Sequence, residues 1–384
     1  MSDGGVSNTT QRNTQWSLEA LNDTPRIDQM AQVKSLLLAA EERGFSDLFI
    51  RTRQPVIAQI DGELVPLIER RLEGDEVQLI TQTIFRDPEA STTVLRGRER
   101  SGSFEFKEGR QRYRYRLMAV ACRVDAMDGI DITVRTIPAI PPAFEDLMVE
   151  DAVKENFAPE QGVVLITGET GSGKSTLLAS GIRSLASDPQ HRRILTIEEP
   201  IEFIYDDVRS PNVLITQSEV PRHTDSFAAG LRSALRRAPD VILVGEARDA
   251  ETMAAVAAAA NTGHLVYATL HANSPAKAIY RVINEFPPEE RRTRMMDLIE
   301  SIQMIVTQRL VKRVGGGRVA LREFLVFDET VRTELMKVEP ESLLAEAKRL
   351  LFERGQTMAA DAQGKFDQGL IDEATRDRYV AEVS

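Results

Sequence analysis

Gly168-Glu169-Thr170-Gly171-Ser172-Gly173-Lys174-Ser175-Thr176 combines three glycines, a lysine and two adjacent hydroxyls at the spacing needed to grip a polyphosphate. The apolar run Val163–Ile166 before it reads as a buried strand, and Ser175–Ala179 opens a helical pattern behind it. Glycine lets the backbone curl so that successive N–H groups point inward at phosphate oxygens. The positive end of the following helix faces the same spot. Lys174 would reach the β- and γ-phosphates, and the Ser175 hydroxyl would take one place on Mg²⁺. A chance glycine-rich turn has no reason to lie between a strand and a helix, so the stretch predicts binding of a nucleoside triphosphate.

Hydrolysis needs a carboxylate to position water, a group near Mg²⁺, and positive charge against the γ-phosphate. The run Asp240–Val244 ends in Gly245-Glu246-Ala247-Arg248-Asp249. Glu246 falls where a water-activating residue is wanted, at the carboxyl end of a buried strand, and Asp249 suits the cap of the next helix. A second acidic group, Glu198-Glu199-Pro200-Ile201-Glu202, follows Ile194–Ile197; by itself it reads as a solvated loop. His264 and His271 flank the run Leu265–Thr269. One such histidine could simply cap a helix carbonyl, whereas the pair resembles a γ-phosphate sensor. Arg110, Arg112, Arg114 and Arg116 alternate with other residues and would share one face of a strand. Two readings stay open for that face: an ordinary solvated sheet surface, or one that meets the phosphates of a nucleotide bound by an adjacent subunit.

The elements that must position these groups follow from the rest of the chain. Its 384 residues suffice for two domains, and its one cysteine, Cys122, excludes an intramolecular disulfide and fits a reducing compartment. No signal peptide or membrane span of roughly 20 apolar residues is expected, so work at a membrane would proceed from its cytoplasmic face through partners. The net charge of −11 argues against direct nucleic-acid binding. Residues 1–27 are expected to form a mobile tail in which Trp16 is a candidate anchor. Residues 28–136 read as a small α+β domain with a helix from Met30 to Ala40, a helix over Asp75–Phe85 and several strands. The proline-rich stretch 137–143 reads as a stiff linker and hinge. Residues 144–384 alternate strands at 163–167, 194–197, 213–216, 241–244 and 265–268 with helices at 174–186, 225–237 and 250–261. From about 289 the chain is expected to be helical, including Glu289–Leu310, Glu341–Arg354 and Thr357–Gly369, apart from strands around Arg318–Phe327.

GETGSGKST, TIEEPIEF, LRSALRRAPDVILVGEARD and TGHLVYATLHA resemble, in order, the Walker A, Asp-box, Walker B and His-box motifs of the secretion/traffic ATPase superfamily. RYRYRLMAV, SEVPRHTDSF and VALREFLVFDE further resemble the branch serving type IVB (Dot/Icm-like) secretion and its conjugative-plasmid counterparts. The resemblance implies an α/β, RecA-like P-loop ATPase domain with a smaller N-terminal PAS-like α+β domain and C-terminal helices, assembled as a homohexamer. It implies nucleotide contacts from Gly168 to Thr176, with Ser175 and Glu246 at Mg²⁺. Glu246 falls on the Walker B glutamate, Glu202 on the Asp-box catalytic glutamate, and His264 and His271 on the His box. Arg114, Arg116 and Arg123 fall on arginines acting in trans. The usual Glu-Asp-Pro of the Asp box is Glu198-Glu199-Pro200 here, so the role of that Asp does not carry over to Glu199. The implied activity is ATP hydrolysis that powers a type IVB-like secretion or conjugation machine from the cytoplasmic face of the inner membrane. A pilus-retraction motor, a DNA-translocating ATPase and a non-enzymatic platform holding ATP are the alternatives.

Overall fold

The computed structural model describes residues 18–381 apart from 25, 61, 138, 139, 207, 209, 355 and 356. Trp16 and part of the expected linker lie outside the described residues. The chain divides into two compact units, Met1–Ala139 and Ile140–Ser384.

In the first unit, α1 (Leu18–Asp23) and α2 (Met30–Glu42) precede a hairpin-rich run of β1 (Asp47–Arg51), β2 (Val56–Ile60) and β3 (Glu63–Ile68). Two helices follow, α3 (Gly74–Phe85) and α4 (Ala90–Leu95), then β4 (Arg100–Glu108), β5 (Gln111–Val124) and β6 (Met127–Thr136). The strands form one six-stranded sheet in the order β3-β2-β1-β6-β5-β4, with every neighbouring pair antiparallel. Period-2 alternation along β5 sends Tyr113, Tyr115, Leu117 and Ala119 into a core shared with Leu36, Leu37, Val77 and Ile80 of α2 and α3. The opposite face carries Arg112, Arg114 and Arg116.

Two expectations need correction in this unit. The segment read as a mobile tail is built into the fold from Leu18 onward: α1 forms, Leu21 and Ile27 are buried in the core, and Ile27 N–H donates to Glu76 at 2.7 Å. Polar composition hid it, because only two apolar anchors are needed to dock so short a segment. Arg110 also lies in the turn before β5, which begins at Gln111, and does not join the arginine face.

The second unit opens with a 3₁₀ turn (Phe144–Leu147) and α5 (Asp151–Glu155). Next come β7 (Gly162–Thr167), α6 (Lys174–Ser187), β8 (Arg192–Glu198), β9 (Val213–Glu219), α7 (Phe227–Leu235) and β10 (Val241–Val244). The order continues with α8 (Ala250–Asn261), β11 (Leu265–Leu270), α9 (Pro275–Asn284), α10 (Arg291–Ser301), β12 (Ile302–Lys312) and β13 (Arg318–Val326). Four helices close it: α11 (Glu329–Lys337), α12 (Leu343–Glu353), α13 (Met358–Asp367) and α14 (Glu373–Ala381). The seven-stranded sheet runs β13-β12-β7-β11-β10-β8-β9, parallel throughout except for β13 at its edge.

Burial on both faces explains why the strands are continuously apolar. Val163, Leu165, Ile242 and Val244 enter one core, while Val164, Ile166, Val241 and Leu243 enter the other. Each such side chain contributes roughly 1.5–3 kcal/mol by leaving water. Ser226, Asp249, Ser274 and Asp328 cap their helices by accepting backbone N–H bonds, as their residue types favour. The helix expected over Glu289–Leu310 ends at Ser301, and Ile302–Lys312 is strand β12. Its β-branched residues Ile305, Val306 and Thr307 sit beside Leu165, Ile166 and Thr167 of β7, so sheet pairing overrides the helical period.

Candidate nucleotide site

The stretch 168–173 leaves β7 at the carboxyl edge of the sheet and turns into α6. Gly168, Gly171 and Gly173 all take positive φ, at 145°, 79° and 85°. The Ser172 N–H donates to the Glu169 carbonyl at 3.2 Å, which tightens the curl. Lys174 is 9% exposed, and its Nζ donates to the carbonyls of Gly168 at 2.8 Å and Glu169 at 3.0 Å. The ammonium is thereby tied back onto the backbone of the loop. Burial lowers its pKa below the ordinary lysine value, and the negative fields of Glu246 and Glu202 offset part of that shift. Both carboxylates therefore belong to the surroundings of Lys174. Glu169, Thr170 and Ser175 are exposed and Thr176 is half-buried.

Glu246 follows β10 at the same edge of the sheet. Its Oε2 accepts from Arg248 Nε at 2.7 Å, and its Oε1 lies 3.1 Å from His271 Nε2. Arg248 also lies 3.3 Å from Glu199. Burial disfavours the Arg248 cation, but Glu246 and Glu199 outweigh burial and raise its pKa. Asp249 accepts from Thr252 N–H as the cap of α8 and leaves Glu246 for the cleft, as its position after the strand predicts. Glu246, Arg248 and His271 share a small cleft with Arg281, which donates to the His271 carbonyl at 2.6 Å.

His264 does not join this group. It precedes β11 at the amino edge of the sheet, where its Nδ1 lies 3.0 Å from the Ala259 carbonyl and 3.2 Å from Thr262 Oγ1. Six strand residues, roughly 20 Å at 3.3 Å each, separate it from His271. The structure gives it the capping geometry, so the two histidines are not a pair, and only His271 lies beside Glu246.

The arginines of the first unit are divided as well. Arg114 and Arg116 are two residues apart on one face of β5; Arg114 is buried, 3.3 Å from Glu105 of β4, and Arg116 is exposed. Arg123 is seven residues beyond Arg116 in an unbroken register with β6. An odd offset turns it to the opposite face, roughly 24 Å along the strand.

Sequence reasoning missed Gln308. Gln308 is 3% exposed on β12, and its Nε2 donates to the Ser172 carbonyl at 2.7 Å. A Cβ on Gly173 would lie 2.8 Å from that Nε2, and one on Gly168 would overlap the Gln308 carbonyl oxygen. Two glycines of the loop are thus required by Gln308 as well as by their φ. The misread helix over 302–310 removed the signal that would have placed this residue beside the loop.

The donor set suits a magnesium nucleotide. Lys174 and the first N–H groups of α6 offer positive charge, while an exposed hydroxyl and carboxylates offer the hard oxygen ligands Mg²⁺ takes alongside phosphate and water.

Comparison with known proteins agrees. Residues 31–316 match the family described as "Type II/IV secretion system protein". The type IV pilus retraction ATPase PilT of Pseudomonas aeruginosa is 38% identical over 304 residues, covering 78% of this chain and 84% of that protein. The solved Legionella pneumophila ATPase DotB superposes with a TM-score of 0.87 at 42% identity, covering 94% of this chain and 98% of that one. A solved pilus retraction motor PilT with bound ADP gives 0.78 at 31% identity, covering 91% and 96%. The chain belongs to the type II/IV secretion system protein family and is an ATP hydrolase with a RecA-like α/β domain.

Proposed function

We propose that this protein is a homohexameric motor ATPase serving a type IVB (Dot/Icm-like) secretion or conjugation machine. The observation that carries the catalytic part is the convergence of the curled loop, the buried Lys174 and the Glu246–His271 pair at one edge of the sheet. ATP would lie with its β- and γ-phosphates against Lys174 and the loop N–H groups. Ser175 and Glu246 would hold Mg²⁺, which when bound would offset the negative charge of the phosphates. Glu202 and Glu246 together orient the attacking water, and His271 reports the γ-phosphate to Glu246 through their shared contact. Arg248 holds the Glu246 carboxylate in place through its 2.7 Å bond.

Arg114, Arg116 and Arg123 are proposed to act across a subunit boundary, with the exposed Arg116 best suited to reach a neighbour's phosphates. Hydrolysis would then move the two units about the stretch 137–143. The assembly would work at the cytoplasmic face of the inner membrane through protein partners of the secretion apparatus. Likeness to DotB along 94% of the chain supports the type IVB branch. A pilus-retraction motor is the second reading, favoured by the 38% identity to PilT.

Mixing tests the arrangement. Arg116→Ala subunits and Lys174→Ala subunits should each be inactive alone and recover part of the turnover when combined. Activity per subunit should also rise with protein concentration. No rescue at any ratio, or full turnover by a monomer, would refute the shared site.

A further inference from the structure

Gln308 is held at both ends of its amide. Nε2 donates to the Ser172 carbonyl, and Oε1 accepts from Arg322 Nε at 2.8 Å. Only one orientation of the amide satisfies both bonds. Arg322 stands directly opposite Gln308 in the β12–β13 register and is 2% exposed. Its remaining donors are spent on the second unit's own entry segment: Nη2 on the Leu147 carbonyl at 3.1 Å, and Nη1 on the Met148 carbonyl at 3.1 Å and Glu150 Oε2 at 3.2 Å.

Glu150 carries the connection onward. Its Oε1 accepts from Lys365 Nζ of α13 at 2.8 Å, and Lys365 also donates to Asp361 at 2.6 Å. Asp361 returns to β13 by accepting the Arg322 N–H at 2.7 Å. Arg322, Glu150, Lys365 and Asp361 close a ring, and Gln308 joins that ring to the loop carbonyl. Burial alone would raise the Glu150 pKa, but Arg322 and Lys365 outweigh it and hold the carboxyl below its ordinary value. Burial also raises Asp361, reinforced by the Glu150 charge and opposed by Lys365. A cleft of about 480 Å³ lined by Glu150, Arg322, Asp361 and Lys365 leaves the ring reachable from outside. A buried guanidinium is costly unless its donors are matched, and here its partners are Gln308 of β12 and the entry segment from Leu147 to Glu150.

We infer that Arg322 is a positioning residue of the phosphate loop, and that through Glu150 and Lys365 it makes the loop's geometry depend on the docking of α13. Arg322 fixes the Gln308 amide, and Gln308 holds the Ser172 carbonyl away from the concave side, so that the neighbouring N–H groups face the phosphates. Lifting α13 from β13 removes Lys365 from Glu150 and Asp361 from the Arg322 N–H, which loosens the hold on Arg322 and, through the Gln308 amide, on the loop. The C-terminal helices thereby gain control over nucleotide affinity without touching nucleotide. The inference rests on the loop's being the triphosphate site.

Equilibrium titration of the full-length chain with MgADP, steady-state ATP turnover and thermal unfolding together form the test. Gln308→Glu keeps the acceptor for Arg322 and loses the donor to Ser172; its MgADP affinity should fall about tenfold, the loss of one buried hydrogen bond of ordinary strength. KM for ATP should rise with it, while the melting temperature changes by only a few degrees. Arg322→Lys should weaken binding in the same direction, because one ammonium cannot serve Gln308 and the entry-segment carbonyls together. Lys365→Met should weaken binding severalfold from its place on α13. The double variant Gln308→Glu/Lys365→Met should bind no worse than Gln308→Glu, as one relay requires. Wild-type affinity in Gln308→Glu, lowered melting temperatures with unchanged affinity and KM, or additive losses in the double variant would overturn the inference. Lys174→Ala separates the two claims. If it binds MgADP normally, the loop assignment itself fails; if it loses MgADP while Gln308→Glu binds normally, only the relay fails.

Discussion

Replacing Gly168 with alanine should damage the protein more than replacing Gly171, although both glycines belong to the same curl. Gly168 has φ 145°, its added Cβ would overlap the Gln308 carbonyl oxygen, and it would stand 2.5 Å from Ser172 Oγ. Gly171 has φ 79°, and its Cβ would meet nothing within 4 Å. Backbone strain alone costs about 1–2 kcal/mol for a left-handed alanine, which is all that Gly171→Ala should lose. At Gly168 overpacking adds about 1–3 kcal/mol, because the obstacle is strand backbone that cannot swing aside. The total of about 2–5 kcal/mol corresponds to roughly 4–20 °C in melting temperature for a unit of this size. Relief of the overlap requires the loop to move by roughly 0.7–1 Å, and misplacement on that scale costs about 10²-fold in rate. Turnover should therefore fall about 10²-fold in Gly168→Ala and no more than about tenfold in Gly171→Ala. Differential scanning calorimetry and a phosphate-release assay on the two variants read both quantities. Equal losses at the two positions, or near-normal turnover in Gly168→Ala, would refute the claim that Gln308 shapes the loop.

Three further outcomes are expected. Glu246→Gln should bind MgATP with near-normal affinity and turn over about 10²–10⁴-fold more slowly; wild-type turnover would remove Glu246 from the reaction. Lys174→Met should raise the melting temperature without nucleotide and abolish stabilisation by ATP. The depressed lysine pKa means that the charged form is penalised in the fold below the folded pKa. Wild-type stability accordingly rises with pH from the folded pKa toward 10.5, and the methionine variant should lack that rise; a destabilised variant would contradict this. In the first unit, Glu76 is 1% exposed, pairs with Arg70 at 2.7 Å and accepts the N–H groups of Ile27 and Glu73. Burial would raise its pKa, but Arg70 and the two N–H groups lower it, so its stabilising contribution is present above about 4.5 and lost as pH falls through the folded value. Glu76→Gln should cost about 1.5–3 kcal/mol at neutral pH and flatten the acid limb of stability; an unchanged acid limb would assign that limb elsewhere.

Local chemistry was legible in the residues alone. The glycine spacing, the apolar strand before it and Lys174 fixed the curled loop between β7 and α6, because positive φ is a property of a short segment. The place of Glu246 after its strand and of Asp249 as a cap followed from the same local logic. The alternation of strands and helices from 163 to 270 likewise declared a parallel α/β sheet, since both faces had to be apolar. What depended on partners distant in sequence was not legible. Ile302–Lys312 carries a pattern compatible with a helix, and only its seat beside β7 makes it a strand and brings Gln308 to the loop. His264 and His271 look equivalent in sequence, yet opposite edges of the sheet give one to a helix end and the other to Glu246. Arg114 and Arg116 share a face that Arg123 does not, because an unbroken register preserves strand parity. Sequence determined the groups able to do the chemistry, through short-range geometry and burial; pairing across the sheet decided which of them meet.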